Sequence, residues 1–269
     1  MLNKKITFIG GGNMAEGIIN GIVNKQVFDR HNITVFDVLF ERMEYLKNTY
    51  DVQIANSIQS SIERADFILI AVRPQDIEKA AQNIKEYIKE EQIIISICAG
   101  IKIEKLANLL GEKKKFVRIM PNTMSQVQHG YSAICTSDNV SEDEKNDMNQ
   151  ILKSLGQFIF INENLFNAFT AYSCAGPAYV LYFMAALVDA GVQSGFSRKD
   201  ALAIASENLL AAVKIIQKTG KHPYQITDTM TSPAGIGIDG LQVLSEKGFH
   251  GIVMASVKQA LKRTNELSI

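Results

Sequence analysis

A strand-like run, Ile6-Thr7-Phe8-Ile9, meets the glycine turn Gly10-Gly11-Gly12-Asn13-Met14-Ala15, and the chain then continues as Glu16-Gly17-Ile18-Ile19-Asn20-Gly21-Ile22-Val23, a helical pattern. Gly10, Gly12 and Ala15 are spaced as G-x-G-x-x-A. A strand that ends in such a turn presents bare backbone amides at a helix N-terminus, a ready pocket for a pyrophosphate. The first glycine permits the tight turn, the second lets phosphate approach the backbone, and the small third residue lets the helix pack on the strand. Glycine-rich turns occur in many loops, so the motif by itself is weak. Its context strengthens it: a strand before, a helix after, and a second strand, Ile33-Thr34-Val35-Phe36, ending at the expected distance.

Short apolar runs alternate with helical patterns through the first half of the chain. Strands are expected at Ile6–Ile9, Ile33–Phe36, Val52–Ile54, Phe67–Val72, Ile93–Ile97, Phe116–Ile119, near Tyr131–Cys135 and at Phe158–Ile161. Helices are expected at about Leu39–Asn48, from Pro74 through Ile88, and from Ser141, where Ser141 and Glu144 have the spacing of a capping box. Near-continuous apolar strands in β-α alternation predict a parallel sheet covered on both faces. After about Asn162 strand signals stop. Pro177–Gly191 is apolar on every side, Ala201–Ile216 nearly so, and a last helix covers about Gly248–Asn265. The fold class is therefore α/β: a Rossmann-like doubly wound parallel sheet over residues 1–162, the dinucleotide-binding domain, then an all-helical domain over 163–269. Helices apolar all round must be buried, and about a hundred residues cannot easily surround two of them, so a second copy of the chain is expected to cover them.

Twenty-eight basic and twenty-eight acidic residues balance, so no nucleic-acid stripe is implied, and Lys113-Lys114-Lys115 reads as a solvated turn. Asn164 to Val188 carries no charge, but polar residues and Gly176-Pro177 interrupt it, so it reads as buried and not as a membrane span. The N-terminus shows no secretory pattern, and Cys98, Cys135 and Cys174 have no paired spacing, so a reducing cytoplasmic setting is expected. The four histidines show no ligand spacing and no metal is expected. No G-x-S-x-G turn is present, and Ser173 has no recognisable base partner.

Other candidates lie where strands end. Asp37, at the tip of the second strand, is placed to accept hydrogen bonds from a ribose with a free 2′-hydroxyl, which favours NAD, although it equally fits a helix cap and Arg42 offsets its charge. Ala71-Val72-Arg73-Pro74, Ser96-Ile97-Cys98-Ala99-Gly100 and Arg118-Ile119-Met120-Pro121-Asn122-Thr123 end their strands at the same edge, where open parallel sheets bind ligands, and Asn122 is a candidate contact to a carboxamide or substrate.

In order along the chain, Ile9-Gly10-Gly11-Gly12-Asn13-Met14-Ala15, Ala71-Val72-Arg73-Pro74-Gln75, Ser96-Ile97-Cys98-Ala99-Gly100-Ile101, Val117-Arg118-Ile119-Met120-Pro121-Asn122-Thr123, Gly176-Pro177-Ala178-Tyr179-Val180 and Thr231-Ser232-Pro233 resemble the successive motifs of pyrroline-5-carboxylate reductases. The resemblance covers nearly the whole chain. It implies NAD(P)H-dependent reduction of the cyclic imine Δ1-pyrroline-5-carboxylate to L-proline, with a helical domain that interleaves with a partner subunit. By matching position, Ile9, Gly10, Gly11, Gly12, Asn13, Met14, Asn56, Ala71, Val72, Arg73, Pro74, Ile97, Cys98, Ala99 and Glu163 would line the cofactor. Thr231, Ser232, Pro233, Ala234, Gly235 and Gly237 would meet the substrate. No side chain is assigned as an obligatory general acid.

The chain departs from the family's usual pattern at three places. Ser173-Cys174-Ala175-Gly176 stands where the family usually reads S-G-S-G, Met124 stands for a proline, and Ser232-Pro233-Ala234-Gly235-Ile236-Gly237 stands for S-P-G-G-x-T, with Gly237 in place of the threonine expected to hydrogen-bond the ring nitrogen. The cofactor end is intact and the substrate end altered. Two alternatives follow: a same-fold reductase of another cyclic imine, and a non-catalytic dinucleotide-binding paralogue with a regulatory role.

Overall fold

In the computed structural model, which describes residues 1–267, eight strands form one sheet: β1 (Ile6–Ile9), β2 (Ile33–Phe36), β3 (Gln53–Ile54), β4 (Phe67–Ile70), β5 (Ile93–Ser96), β6 (Lys115–Met120), β7 (Gly130–Thr136) and β8 (Gly156–Phe160). Their order is β3-β2-β1-β4-β5-β6-β7-β8. The chain reverses its direction of winding between β1 and β4, the switch point at which such sheets bind ligands.

All neighbours are parallel except β6 and β7, which pair antiparallel through Arg118 opposite Cys135. The sheet is thus parallel-dominated, as expected, with one antiparallel pair that the strand pattern did not mark. The link from Pro121 to His129 holds only a 3₁₀ turn, Thr123–Val127, and is too short for the crossover a parallel pair requires.

Six helices cover the sheet: α1 (Asn13–Asn24), α2 (Phe40–Tyr50), α3 (Ile58–Ile62), α4 (Ile77–Ile84), α5 (Ile103–Leu110) and α6 (Glu142–Lys153). Successive strand residues point to opposite faces, so each face has its own core. Phe8, Leu69, Ile95 and Val117 pack with Ile18, Ile22 and Leu152 on one side. Ile68, Ile70, Ile94 and Phe116 pack with Ile77, Ala81, Ile84 and Leu106 on the other. The helix expected from Pro74 to Ile88 is broken. Only α4 is α-helical, flanked by 3₁₀ turns at Pro74–Asp76 and Lys85–Tyr87, as helix ends commonly tighten. The capping box of Ser141 and Glu144 forms at the start of α6. On α1, a Cβ at Gly17 would stand 3.0 Å from Gln126 Cγ and one at Gly21 2.8 Å from the Ser154 carbonyl oxygen. These two glycines seat the helix closely.

The remaining elements are helical: α7 (Phe166–Phe169), a π turn at Thr170–Cys174, α8 (Gly176–Gln193), α9 (Arg198–Thr219), α10 (Pro223–Met230), α11 (Ile236–Glu246) and α12 (Phe249–Leu267). The chain divides into two compact units, Met1–Cys174 with the chain end from Leu261, and Ala175–Ala260. Glu163–Cys174 belongs to the first unit because it is bound to the sheet. Phe166 is fully buried, Glu163 pairs with Arg118, and the Cys174 thiol lies 3.7 Å from the Pro121 carbonyl oxygen.

Within Ala175–Ala260, α8 and α9 meet at Gly191 and Ala201, and Val188, Ala201 and Ala205 are buried. Leu181, Tyr182, Leu202, Val213 and Ile236 are exposed. Within the single chain little of Glu163–Gln193 is covered, and by length and composition that stretch is long and apolar enough to cross a membrane; the cover expected from a second copy lies outside one chain.

Candidate active site

The sheet brings most of the predicted cofactor residues to one edge. Gly10 N–H donates to the Phe36 carbonyl (2.8 Å), Ala71 N–H to that of Ile9 (2.9 Å) and Ile97 N–H to that of Ile70 (3.2 Å). These bonds join Ile9–Met14, Ala71–Pro74 and Ile97–Ala99 along the carboxyl ends of β1, β4 and β5, beside the switch point.

The glycine turn has the geometry the sequence requires. Gly10 has φ +101°, and a Cβ there would stand 2.7 Å from the Ala71 carbonyl oxygen, so a side chain is excluded both by conformation and by space. Gly12 precedes α1 with extended backbone and no side chain caps the helix. Nothing lies within 4 Å of a Cβ built at Gly12. Uncapped amides beneath open space fit a pyrophosphate.

Three residues assigned to the cofactor also make hydrogen bonds that hold the fold. Asp37 Oδ2 accepts the Gly11 N–H (2.6 Å) and Oδ1 the Leu39 N–H (2.9 Å), so its oxygens hold the glycine turn and the start of α2, each with acceptor capacity left over. Asn122 is buried and caps the 3₁₀ turn after β6, its Oδ1 accepting from the Met124 and Tyr131 amides at 3.2 and 3.3 Å. Glu163 Oε1 accepts from Arg118 Nη1 (2.9 Å) and the Ile103 N–H (2.8 Å). Of the other predicted residues, Cys98 is buried with its thiol 3.3 Å from the Val72 carbonyl oxygen, Arg73 pairs with Asp76 at 2.7 Å, and Asn56 lines a cavity of about 510 Å³ with Thr34, Gln53 and Ser60.

Around Arg42, noted above only for its charge, stands a cluster with Glu16, Tyr45 and Tyr50 beside the turn. Arg42 donates from Nε to the Gly11 carbonyl (2.5 Å) and pairs with Glu16. Tyr45 and Tyr50 each donate to Glu16 Oε1 at 3.0 Å. Burial works to raise the Glu16 pKa, but the hydrogen bonds from Arg42, Tyr50 and Tyr45 outweigh it and hold the carboxyl below its usual range. Tyr50 is pushed up to about 12 by burial and by the neighbouring carboxylate. Glu16 falls in the first turn of α1 and Arg42 in that of α2, a signal that becomes legible only when both helices are known to start at one edge.

The predicted substrate residues form the link between α10 and α11. Thr231 Oγ1 is turned back on its own helix, donating to the Thr227 carbonyl at 3.1 Å. Gly235 N–H donates to the Ser232 carbonyl (3.0 Å), and a Cβ at Gly235 would stand 2.4 Å from Ser232 Oγ. Ala234 is held at φ +53°. Gly235 leads into α11 with no side chain capping the helix, so this N-terminus also offers free amides to an anion. A Cβ at Gly237 would meet only Met230 O at 3.4 Å and Thr231 Cγ2 at 3.6 Å, ordinary contacts. Among the described residues no group of three His, Cys, Asp or Glu side chains gathers to hold a metal ion.

Residues 163–267 match the family described as pyrroline-5-carboxylate reductase dimerisation, and residues 5–100 match that described as NADP oxidoreductase coenzyme F420-dependent. A pyrroline-5-carboxylate reductase of Aquifex aeolicus is 34% identical over 267 residues, covering 99% of this chain and 98% of the relative. Pyrroline-5-carboxylate reductase 1 of Bacillus subtilis is 35% identical, covering 98% of this chain and 90% of the relative. The crystal structure of Plasmodium falciparum pyrroline carboxylate reductase with NADP bound has a TM-score of 0.89 to this chain at 31% identity, with all of both chains covered.

Proposed function

The chain belongs to the pyrroline-5-carboxylate reductase family, and from that we propose that it reduces Δ1-pyrroline-5-carboxylate to L-proline, the last step of proline biosynthesis, with NADH or NADPH as hydride donor. The observation that carries this reading is the open, uncapped glycine turn at the switch point, in a chain similar to such reductases over its full length.

The dinucleotide, when bound, supplies the hydride that goes to the imine carbon. The chain's own residues do the rest. The amides after Gly12 hold the pyrophosphate, Gly10 keeps the turn tight, and the ends of β4 and β5 line the edge beside it. The charge of Asp37 stays at the tip of β2 although its oxygens are engaged, which inclines the site to NADH.

The substrate's carboxylate is assigned to the free amides that open α11 together with Ser232. That task needs no particular side chain. The iminium form of the substrate already carries its proton on nitrogen, so hydride addition gives the amine without an obligatory general acid. Gly237 offers no hydroxyl where the family usually has threonine. Losing one well-placed donor typically costs about 2.7–4 kcal/mol, or 10²–10³ in turnover.

The test is steady-state reduction of Δ1-pyrroline-5-carboxylate with each nicotinamide, for wild type, Ser232→Ala and Gly237→Thr. Turnover is expected in wild type, a raised KM in Ser232→Ala and a raised kcat in Gly237→Thr. Tight dinucleotide binding without turnover on this or any other cyclic imine would return the protein to a regulatory role.

The dimerisation family matched by residues 163–267 and the exposed apolar faces of α8, α9 and α11 support a homodimer or larger homo-oligomer. Light scattering on the purified protein gives the subunit number.

A further inference from the structure

We propose that Glu16 is a specificity-determining residue: by pairing with Arg42 it withholds the cation that a 2′-phosphate would need, and so sets a preference for NADH over NADPH. The inference rests on the reductase reading above and adds to it which nucleotide the chain selects and by which side chain.

The adenosine ribose of a dinucleotide lies at the tip of the second strand of such a sheet, and an arginine nearby accommodates a 2′-phosphate where one is used. Here the arginine exists. Arg42 stands on the first turn of α2, just past the β2 tip, with its Nε on the Gly11 carbonyl. Its charge is already answered, however. Glu16 Oε2 takes the guanidinium, and Glu16 Oε1 takes the phenols of Tyr45 and Tyr50, so both carboxylate oxygens are engaged. The guanidinium also lies over the Tyr45 ring, 5.0 Å from its centroid. Both side chains of the ion pair are only about a quarter exposed or less (24% for Arg42, 21% for Glu16), so salt screens the pair weakly.

Asp37 adds a second acid to the same corner, bonded to the Gly11 and Leu39 amides. Two carboxylates against one guanidinium leave the corner with an excess negative charge. A ribose hydroxyl is neutral to that field. A 2′-phosphate, carrying nearly two negative charges, is repelled unless Arg42 turns away from Glu16. Specificity here is a matter of the repelling charge as much as of an attracting one.

Binding is measured by calorimetry with 5′-AMP and with adenosine 2′,5′-bisphosphate, which differ only in the 2′-phosphate, and the kcat/KM ratio of NADPH to NADH is measured alongside. In Glu16→Gln, affinity for the bisphosphate and the NADPH:NADH ratio are each expected to rise about tenfold, with 5′-AMP affinity nearly constant. In the double variant E16Q/R42Q the gain is expected to vanish. A ratio that stays at its wild-type value in folded Glu16→Gln, or a gain that survives loss of Arg42, would overturn the proposal. Should Glu16→Gln fail to fold, Tyr45→Phe with Tyr50→Phe loosens the carboxylate without removing it. A smaller shift in the same direction supports the proposal, and none overturns it. Wild-type protein that binds neither adenosine probe and turns over no imine overturns the reductase reading itself, an outcome distinct from an unmoved ratio in an active enzyme.

Discussion

Arg118 Nη1 lies 2.9 Å from Glu163 Oε1, and the same oxygen accepts the Ile103 N–H at 2.8 Å, so one carboxylate ties β6, the start of α5 and the turn leading out of the sheet. Arg118 is 2% exposed and its guanidinium lies 4.5 Å from the centroid of the Phe166 ring, whereas the Glu163 side chain is 26% exposed. The pair is therefore asymmetric. Glu163→Ala leaves a buried cation without a partner and is expected to cost about 3–5 kcal/mol. Arg118→Met leaves a carboxylate that reaches water, and is expected to cost about 1–2 kcal/mol. Urea denaturation at equal protein concentration checks the order; equal costs would refute the asymmetry.

Gly10 and Gly12 are expected to answer substitution oppositely. Gly10→Ala meets a positive φ and a carbonyl 2.7 Å away, and should lower stability by about 1–3 kcal/mol. Gly12→Ala fits the existing backbone and should change stability by no more than about 0.5 kcal/mol. Its methyl fills the space above the amides, so dinucleotide affinity should fall at least about tenfold. Thermal melts and nucleotide titration separate the two effects.

Ala234 carries a left-handed conformation, φ +53°, in the link before α11. An alanine there pays about 1–2 kcal/mol that glycine avoids, against about 0.5–1 kcal/mol of extra chain entropy for glycine. Ala234→Gly should therefore stabilise the protein by about 0.5 kcal/mol, read as a rise in urea midpoint with unchanged slope.

The three thiols should be nearly inert to alkylation in the native protein at pH 8. Burial raises Cys98, pushes Cys135 up to about 12 and Cys174 up to about 11, so little thiolate exists at that pH. Mass spectrometry after iodoacetamide treatment should show no modification before unfolding and three after it. Rapid native labelling would contradict the burial.

Acid should weaken the fold through Glu144 as well as Glu16. Burial works to raise Glu144, but the hydrogen bonds from Lys115 and Ser141 outweigh it and hold its pKa below 4.5. A carboxylate depressed by folding contributes its full stabilisation above its unfolded pKa and loses it as pH falls through the folded value. The loss therefore comes below about pH 4.5, and Glu144→Gln should show a shallower fall in melting temperature between pH 5 and 3 than wild type.

The local chemistry of this chain was written in its order of residues. The Ile6–Ile9 strand, the turn at Gly10 and Gly12, the helix after it and the capping box at Ser141 depend on near neighbours, where backbone freedom and side-chain periodicity act directly. The motifs shared with pyrroline-5-carboxylate reductases were legible for the same reason. What only the tertiary structure decided was how polar groups distant in sequence spend their hydrogen bonds. Asp37 turned to Gly11, Asn122 to Met124 and Tyr131, and Glu163 to Arg118, because the fold brings a donor within reach of each of these oxygens and a polar group removed from water is stabilised by such a partner. The antiparallel turn of β7 and the pairing of Glu16 with Arg42 belong to the same class. Each depends on where two segments meet in space, and no local pattern records that meeting.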